Sequence, residues 1–218
     1  MRIPPLGKRV VAVATAALVA SGLAAGPAAA HGKSKPLGTR SLAAVLTADK
    51  SGFDRNERDF NILTAAVLAV LKAKPSSPVA VLADGKTALT AFIPNDLAFE
   101  RLVADLQGTR RLPGERKAFT AVAGLGINTV ESVLLYHVVP GATIDKRAAL
   151  RSDGAKLKTA AGSSITVDVT GCWWWRQVKL IDADRNDRNP RVVAFNINKG
   201  NRQIAHAINR VLRPIDLP

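Results

Sequence analysis

The hydrophobic period of this chain changes partway along it. From Leu42 to about His137, outside two short runs at 79–82 and 87–93, apolar residues mostly recur every three to four positions, as on a buried helix face. From Ile165 onward they alternate with polar residues, as on a half-buried strand. Neither pattern can serve the other element, so helices come mainly from the first half and strands from the second, which is the α+β class. The 218 residues suit one domain with extensions, and 47% hydrophobic content is enough for a core.

Ser41 is placed to cap a short helix that buries Leu42, Val45 and Leu46. After a polar loop at 51–58, Asp59 opens a stronger helix carrying Ile62, Leu63, Ala66, Val67, Val70 and Leu71. Its other side holds Ala65, Leu68 and Ala69, which predicts burial nearly all round. Pro75 and Pro78 stop it. Residues 79–82 and 87–93 are predicted strands, with Asp84-Gly85 as a hairpin signal between them. Pro94 ends the second, and Asn95 or Asp96 can cap a helix burying Leu97, Phe99, Leu102, Val103 and Leu106. A basic, turn-rich stretch at 108–117 leads to a short apolar segment at 118–125. Asn128 and Glu131 have capping-box spacing ahead of the apolar run at 133–137. Alternation then marks strands around Ile165-Val167-Val169, Val178-Leu180, Val193-Phe195 and Ile204-His206-Ile208-Leu212.

The first thirty residues read as an address. Arg2, Lys8 and Arg9 precede an apolar stretch from Val10 to about Ala25, and Pro27 precedes Ala28-Ala29-Ala30. This is the layout of a secretory signal peptide cleaved after Ala30. The apolar stretch is shorter than the ~20 residues that span a bilayer, so a retained anchor is the weaker reading. Cleavage removes three basic residues and no acidic ones, lowering the formal net charge from +14 to +11. Residues 31–40 then form a flexible lead, and 41–218 the folded domain. The expected location is secreted, without a transmembrane anchor.

One cysteine, Cys172, excludes a disulfide framework and any zinc site built from several thiolates, and three histidines leave little for a His cluster. No nucleophile elbow, zinc-protease helix or phosphate-cradling glycine loop is present, so neither an enzyme nor a cofactor is expected. Asp182, Asp184, Asn186 and Asp187 superficially suggest a calcium loop. Its sixth position is Asp187 rather than Gly and its twelfth is Val193 rather than Glu, and Arg185, Arg188 and Arg191 oppose a dication; a solvated turn is the better account.

Three segments together resemble the fasciclin domain family. Thr90-Ala91-Phe92-Ile93-Pro94-Asn95-Asp96-Leu97-Ala98-Phe99 is similar to its first signature, Leu134-Leu135-Tyr136-His137-Val138-Val139-Pro140-Gly141 to its middle segment, and Ile204-Ala205-His206-Ala207-Ile208-Asn209-Arg210-Val211-Leu212-Arg213-Pro214 to its closing signature. The closing motif departs from the family at Asn209, where Asp is customary, and in the longer basic turn at 198–203. The resemblance implies a wedge of two β-sheets with several helices packed along one side, and a role in cell adhesion.

Two groups are candidates for partner contact. Tyr136 and His137 lie in the segment that the wider family connects with adhesion, but Leu134, Leu135, Val138 and Val139 around them equally suit packing. His206, on the face of Ile204 and Ile208, reads as a core histidine. Trp173, Trp174 and Trp175 form the other group: successive strand residues face opposite sides, so at least one indole should sit near solvent unless helices or loops cover both faces. The basic charge is spread over loops without a nucleic-acid motif, so an anionic polymer or lipid head groups are the natural counterpart, and nucleic acid is not expected. The chain is thus expected to be an exported, non-catalytic binding or adhesion protein acting on a cell-surface or matrix component. The alternative is a small-ligand or lipid-binding protein with a pocket beside Trp173–Trp175.

Overall fold

The structure, a computed structural model, describes residues 36–172 and 174–215. The expected leader, residues 31–35 of the lead that follows it, and Trp173 lie outside the described residues.

Two strands organise the architecture. β1 (Leu89–Pro94) and β7 (Gln203–Ile208) pair in parallel and are buried at every position, as parallel strands covered on both faces must be. β2 (Val138–Pro140) flanks β1 and β6 (Val192–Ile197) flanks β7, both antiparallel, giving the order β2-β1-β7-β6. A second sheet runs β3-β4-β5, from β3 (Lys156–Lys158), β4 (Ser164–Cys172) and β5 (Trp175–Ile181).

The helices of the first half are α1 (Leu42–Leu46), α2 (Asn61–Ala73), α3 (Asp96–Leu106), α4 (Glu115–Gly124) and α5 (Ile127–Tyr136); a short α6 (Lys146–Ala149) follows β2. Strand alternation divides the core. Leu89, Ala91 and Ile93 of β1 pack with the helices, through Ile62, Phe99, Leu102 and Leu134 among others. Phe92, on the opposite face, packs with Ile165, Val167, Val178 and Leu180 of the second sheet. The result is two sheets with helices along one side, the α+β wedge that the resemblance implies.

Ser41 caps α1 by accepting the Ala44 amide at 3.1 Å, and Asn95 caps α3 by accepting that of Ala98 at 3.1 Å. Other local expectations are corrected. Residues 79–82 are not a strand but part of a 3₁₀ helix, Pro78–Ala83. Ser77 accepts the Val79 amide, Pro78 presets φ at the helix start, and Val79 and Leu82 are buried three residues apart, the 3₁₀ period. Asp84-Gly85 is consequently no hairpin between strands. Gly85 lies against the backbone of Thr39, where a Cβ would collide with its carbonyl.

The α2 helix begins at Asn61 rather than Asp59, and its first amides are held from another element: Asp96 accepts Asn61 N at 3.0 Å and Ile62 N at 2.9 Å. Nor is α2 buried all round, since Leu68 is 51% exposed. The proposed capping box fails because α5 starts after Gly126 without a side-chain cap, and Glu131 instead pairs with Lys74. The apolar segment 118–125 belongs mostly to α4, which begins earlier, at Glu115. Val193 is exposed, because register shifts in β6 break its alternation. The end of the expected flexible lead is pinned: Gly38 N donates to Gly200 O at 2.8 Å, Arg202 N donates to Gly38 O at 2.9 Å, and Gly38 bridges Asn201 in parallel. Ordered structure therefore begins before Ser41.

Candidate functional site

The structure separates the two groups of candidate contact residues. Tyr136, the last residue of α5, is 0% exposed, and His137, immediately after it, is 4% exposed. The Tyr136 hydroxyl donates to Ser164 O at 3.2 Å; burial, and then the charge of Asp182, push its pKa up to about 12. Both His137 nitrogens face backbone groups, with Nδ1 2.7 Å from Val133 O and Nε2 accepting the Leu212 amide at 2.9 Å. An amide can only donate, so Nε2 is the acceptor and Nδ1 carries the proton. Burial depresses the His137 pKa to about 4, keeping the ring neutral.

His206 is the mirror case. Its Nδ1 accepts the Asn196 amide at 3.2 Å, so Nε2 carries the proton given to Ile144 O at 2.8 Å. The ring lies between Phe92 and Phe195, with centroids 5.8 and 5.3 Å away, and burial lowers its pKa too. Every ring nitrogen of these two histidines is thus committed to the backbone, and neither imidazole is presented to a substrate.

Trp174 and Trp175 are placed quite differently. They sit at the turn between β4 and β5, where Cys172 pairs with Trp175 and Gly171 with Arg176. Trp174 is 72% exposed and Trp175 59%. Gly171 has φ +102, and a Cβ there would collide with the Trp175 carbonyl, so the turn depends on glycine. Arg176 and Cys172, a free cysteine, are also exposed. The basic group presented beside the indoles is Arg176; Lys156 and Lys158 of β3 are exposed on the other edge of the sheet, opposite Thr166 and Ser164 at the far end of β4.

The calcium-like stretch folds around an arginine. Arg213, 6% exposed, directs Nη1 to Asp184 at 3.3 Å, Nε to Asp187 at 3.3 Å and Nη2 to Asp105 at 3.1 Å, while its amide donates to Asp182 at 2.9 Å. The guanidinium occupies the place among these carboxylates that a dication would need. The stretch is therefore more than a solvated turn, since Asp182 and Asp184 are buried. Burial, reinforced by Asp187 and Asp184, raises the Asp182 pKa to about 7 despite the Arg213 amide and charge. This cluster was not recognised in the sequence, because Arg213 lies far along the chain from its partners.

An apolar cavity of about 20 Å³ lies between α2, α3, α4 and α5, bordered by Phe99, Leu102, Val133 and His137. That volume holds about one water. No hairpin residue lines it.

The fasciclin domain family model matches residues 63–214. No curated protein sequence matches the chain. Among solved structures, a FAS1 domain pair from the insect cell adhesion molecule fasciclin I is similar in fold, with a TM-score of 0.54 and 15% identity over 81% of this chain and 51% of that one. The chain thus spans about half the length of that domain pair. The family match encloses all three signature segments, and their strands β2, β1 and β7 lie side by side in one sheet: this chain belongs to the fasciclin domain family.

Proposed function

We propose that the chain is an exported, non-catalytic adhesion protein that binds anionic material at the cell surface or in the surrounding matrix through the β4–β5 hairpin turn. The observation that carries this reading is the exposure of Trp174 and Trp175, 72% and 59%, beside Arg176. Exposed indoles offer broad apolar area with one N–H donor each, a composition typical of contact surfaces. The formal charge of +11 that remains after cleavage (31 − 3 − 17) favours an anionic counterpart. Membership of a family that includes a cell adhesion molecule supports the same class of role. Tyr136 and His137 are poor contact residues by comparison, because a partner would have to open the core to reach them.

The test is binding of the chain from His31 onward to immobilised cell-surface material, against an unrelated basic protein of similar charge. All three tryptophans lie at 173–175, so intrinsic fluorescence reports on this turn alone. Binding above the control, with a blue-shifted emission, is expected. Binding no better than the control overturns the proposal. A fluorescence shift with a small apolar ligand, insensitive to salt, favours a ligand pocket beside the tryptophans instead.

A further inference from the structure

In a strongly basic chain, one small region gathers acid. The 51–60 segment brings Asp54 and Asp59 against Glu115, the first residue of α4, so that one carboxylate oxygen from each lies within 4.8 Å of the other two. Oxygens on a single calcium-sized ion, each about 2.3–2.6 Å from it, are separated by no more than about 5 Å. The three carboxylates therefore fit one ion without rearrangement of the backbone.

A second observation sets this region apart from an ordinary acidic surface. Glu115 is 3% exposed, and its Oε1 is buried beyond hydrogen-bond distance of any donor, with Asn61 approaching the carboxylate; Asp59 is part-buried, and Asp96 approaches it. A buried carboxylate oxygen left unpaired is costly, and a bound cation relieves it while leaving the carboxylate charged, where a proton would neutralise it. Among the described residues, no Lys or Arg forms an ion pair with Asp54, Asp59 or Glu115. The contrast with Asp184 and Asp187 is direct, because Arg213 serves those carboxylates.

The region is also held in place. Asp54 N donates to Glu115 Oε2 at 2.9 Å, Phe53 stacks on Phe119 of α4 with centroids 5.3 Å apart, and the Asp96 and Leu97 amides donate to Asp59 O and Glu57 O. Asp96 accepts the α2 amides and is in hydrogen-bond contact with Asp59, while one oxygen each of Asp54, Asp59 and Glu115 converges beside it.

We infer that Asp54, Asp59 and Glu115 form a binding site for a hard divalent cation of the calcium class, tying the 51–60 segment to the start of α4. Oxygen-only donors exclude a preference for soft metals. With three carboxylates and part of the shell left to water, affinity in the range of extracellular calcium modules, a Kd of about 10⁻⁴–10⁻³ M, is expected.

The experiment is calcium chloride titrated into the purified chain, followed by calorimetry and by thermal unfolding. Heat of binding and a Tm that rises with calcium are expected. Asp54→Asn is the informative variant: its side chain is exposed, and the backbone amide that holds Glu115 is retained. It should fold and bind calcium at least tenfold more weakly, as should Glu115→Gln. Absence of both heat and Tm shift at millimolar calcium overturns the inference, and so does unchanged calcium affinity in Asp54→Asn.

Discussion

The imidazole of His137 accepts the backbone amide of Leu212 at 2.9 Å, joining the middle and closing signature segments. The carbonyl of His137 in turn accepts the Phe92 amide at 2.9 Å, bringing in the first. One residue thus bridges all three segments by which the family is recognised. Its role is to hold β1, β2 and the chain after β7 in register, so His137 acts through architecture. Replacing it with Ala leaves the Leu212 amide unpaired in the core and opens a cavity. A loss of about 2–4 kcal/mol is expected in urea unfolding, from the unsatisfied donor together with the cavity.

The same histidine sets a pH dependence. Its folded pKa of about 4 lies below the ordinary value of 6.5, so between these limits the unfolded chain binds the extra proton. Stability is therefore lost as pH falls from about 6.5 toward 4, by on the order of 3 kcal/mol when the loss is complete. Asp182 acts in the opposite sense. Its folded pKa of about 7 lies above its ordinary 3.8, so the folded state holds the extra proton, and stability declines as pH rises from about 4 to 7. Asp182→Asn retains an acceptor for the Arg213 amide and should make that decline shallower, leaving the share of Asp96, whose pKa burial raises to about 8. Urea midpoints of both proteins across pH 4–8 check both signs.

What the sequence made legible follows from locality. Ser41 and Asn95 cap helices three residues ahead of them, and the alternation of Ile165, Val167, Val178 and Leu180 reflects one buried sheet face; both signals lie within a few residues. Asp59 and Glu131 misled because their partners are distant: Asp96 supplies the cap at the start of α2, and Lys74 claims Glu131. The run at 79–82 is apolar enough for a strand, yet Pro78 and the Ser77 cap tip it into a 3₁₀ turn. The tryptophan triplet stood out from residue type alone, whereas its exposure depends on what the rest of the chain leaves uncovered.

Gln203, which the sequence pattern puts in the turn at 198–203, is the first residue of β7 and has a long-range role. It is 0% exposed; its Oε1 accepts the Leu42 amide at 2.7 Å, and its Nε2 donates to Val81 O at 2.7 Å and Asp84 O at 2.8 Å. One side chain thereby stitches α1 and the 3₁₀ helix to β7. Gln203→Ala should cost about 2–4 kcal/mol, since a buried amide and two part-buried carbonyls lose their partner together. Gln203→Glu should be at least as damaging, because a carboxylate cannot donate to either carbonyl. Chemical denaturation of the two variants measures both effects.

Arg213 should be less replaceable still. Its removal leaves the buried Asp184 and the half-buried Asp187 without their cation, and breaking a buried pair from one side costs about 3–5 kcal/mol. Arg213→Met preserves much of the side-chain length, which isolates the charge from the packing. A loss of that size in Arg213→Met, largely recovered when Asp184→Asn and Asp187→Asn are added, would locate the cost in the unpaired carboxylates.

The hairpin turn separates stability from binding. Trp174 and Trp175 are mostly exposed, so replacing both with Ala should change folding stability by no more than about 0.5 kcal/mol, as for surface positions generally. The same pair of substitutions should remove most of the binding to cell-surface material, because the apolar contact area goes with the indoles. Gly171→Ala provides the complementary case: it retains every indole but forces a side chain into positive φ and onto the Trp175 carbonyl, so the turn must rearrange. Loss of binding in both variants, with near-native stability in the tryptophan pair, would show that contact requires the rings and also their presentation at this turn. Full binding by the Trp174→Ala, Trp175→Ala protein would place the contact surface elsewhere on the domain.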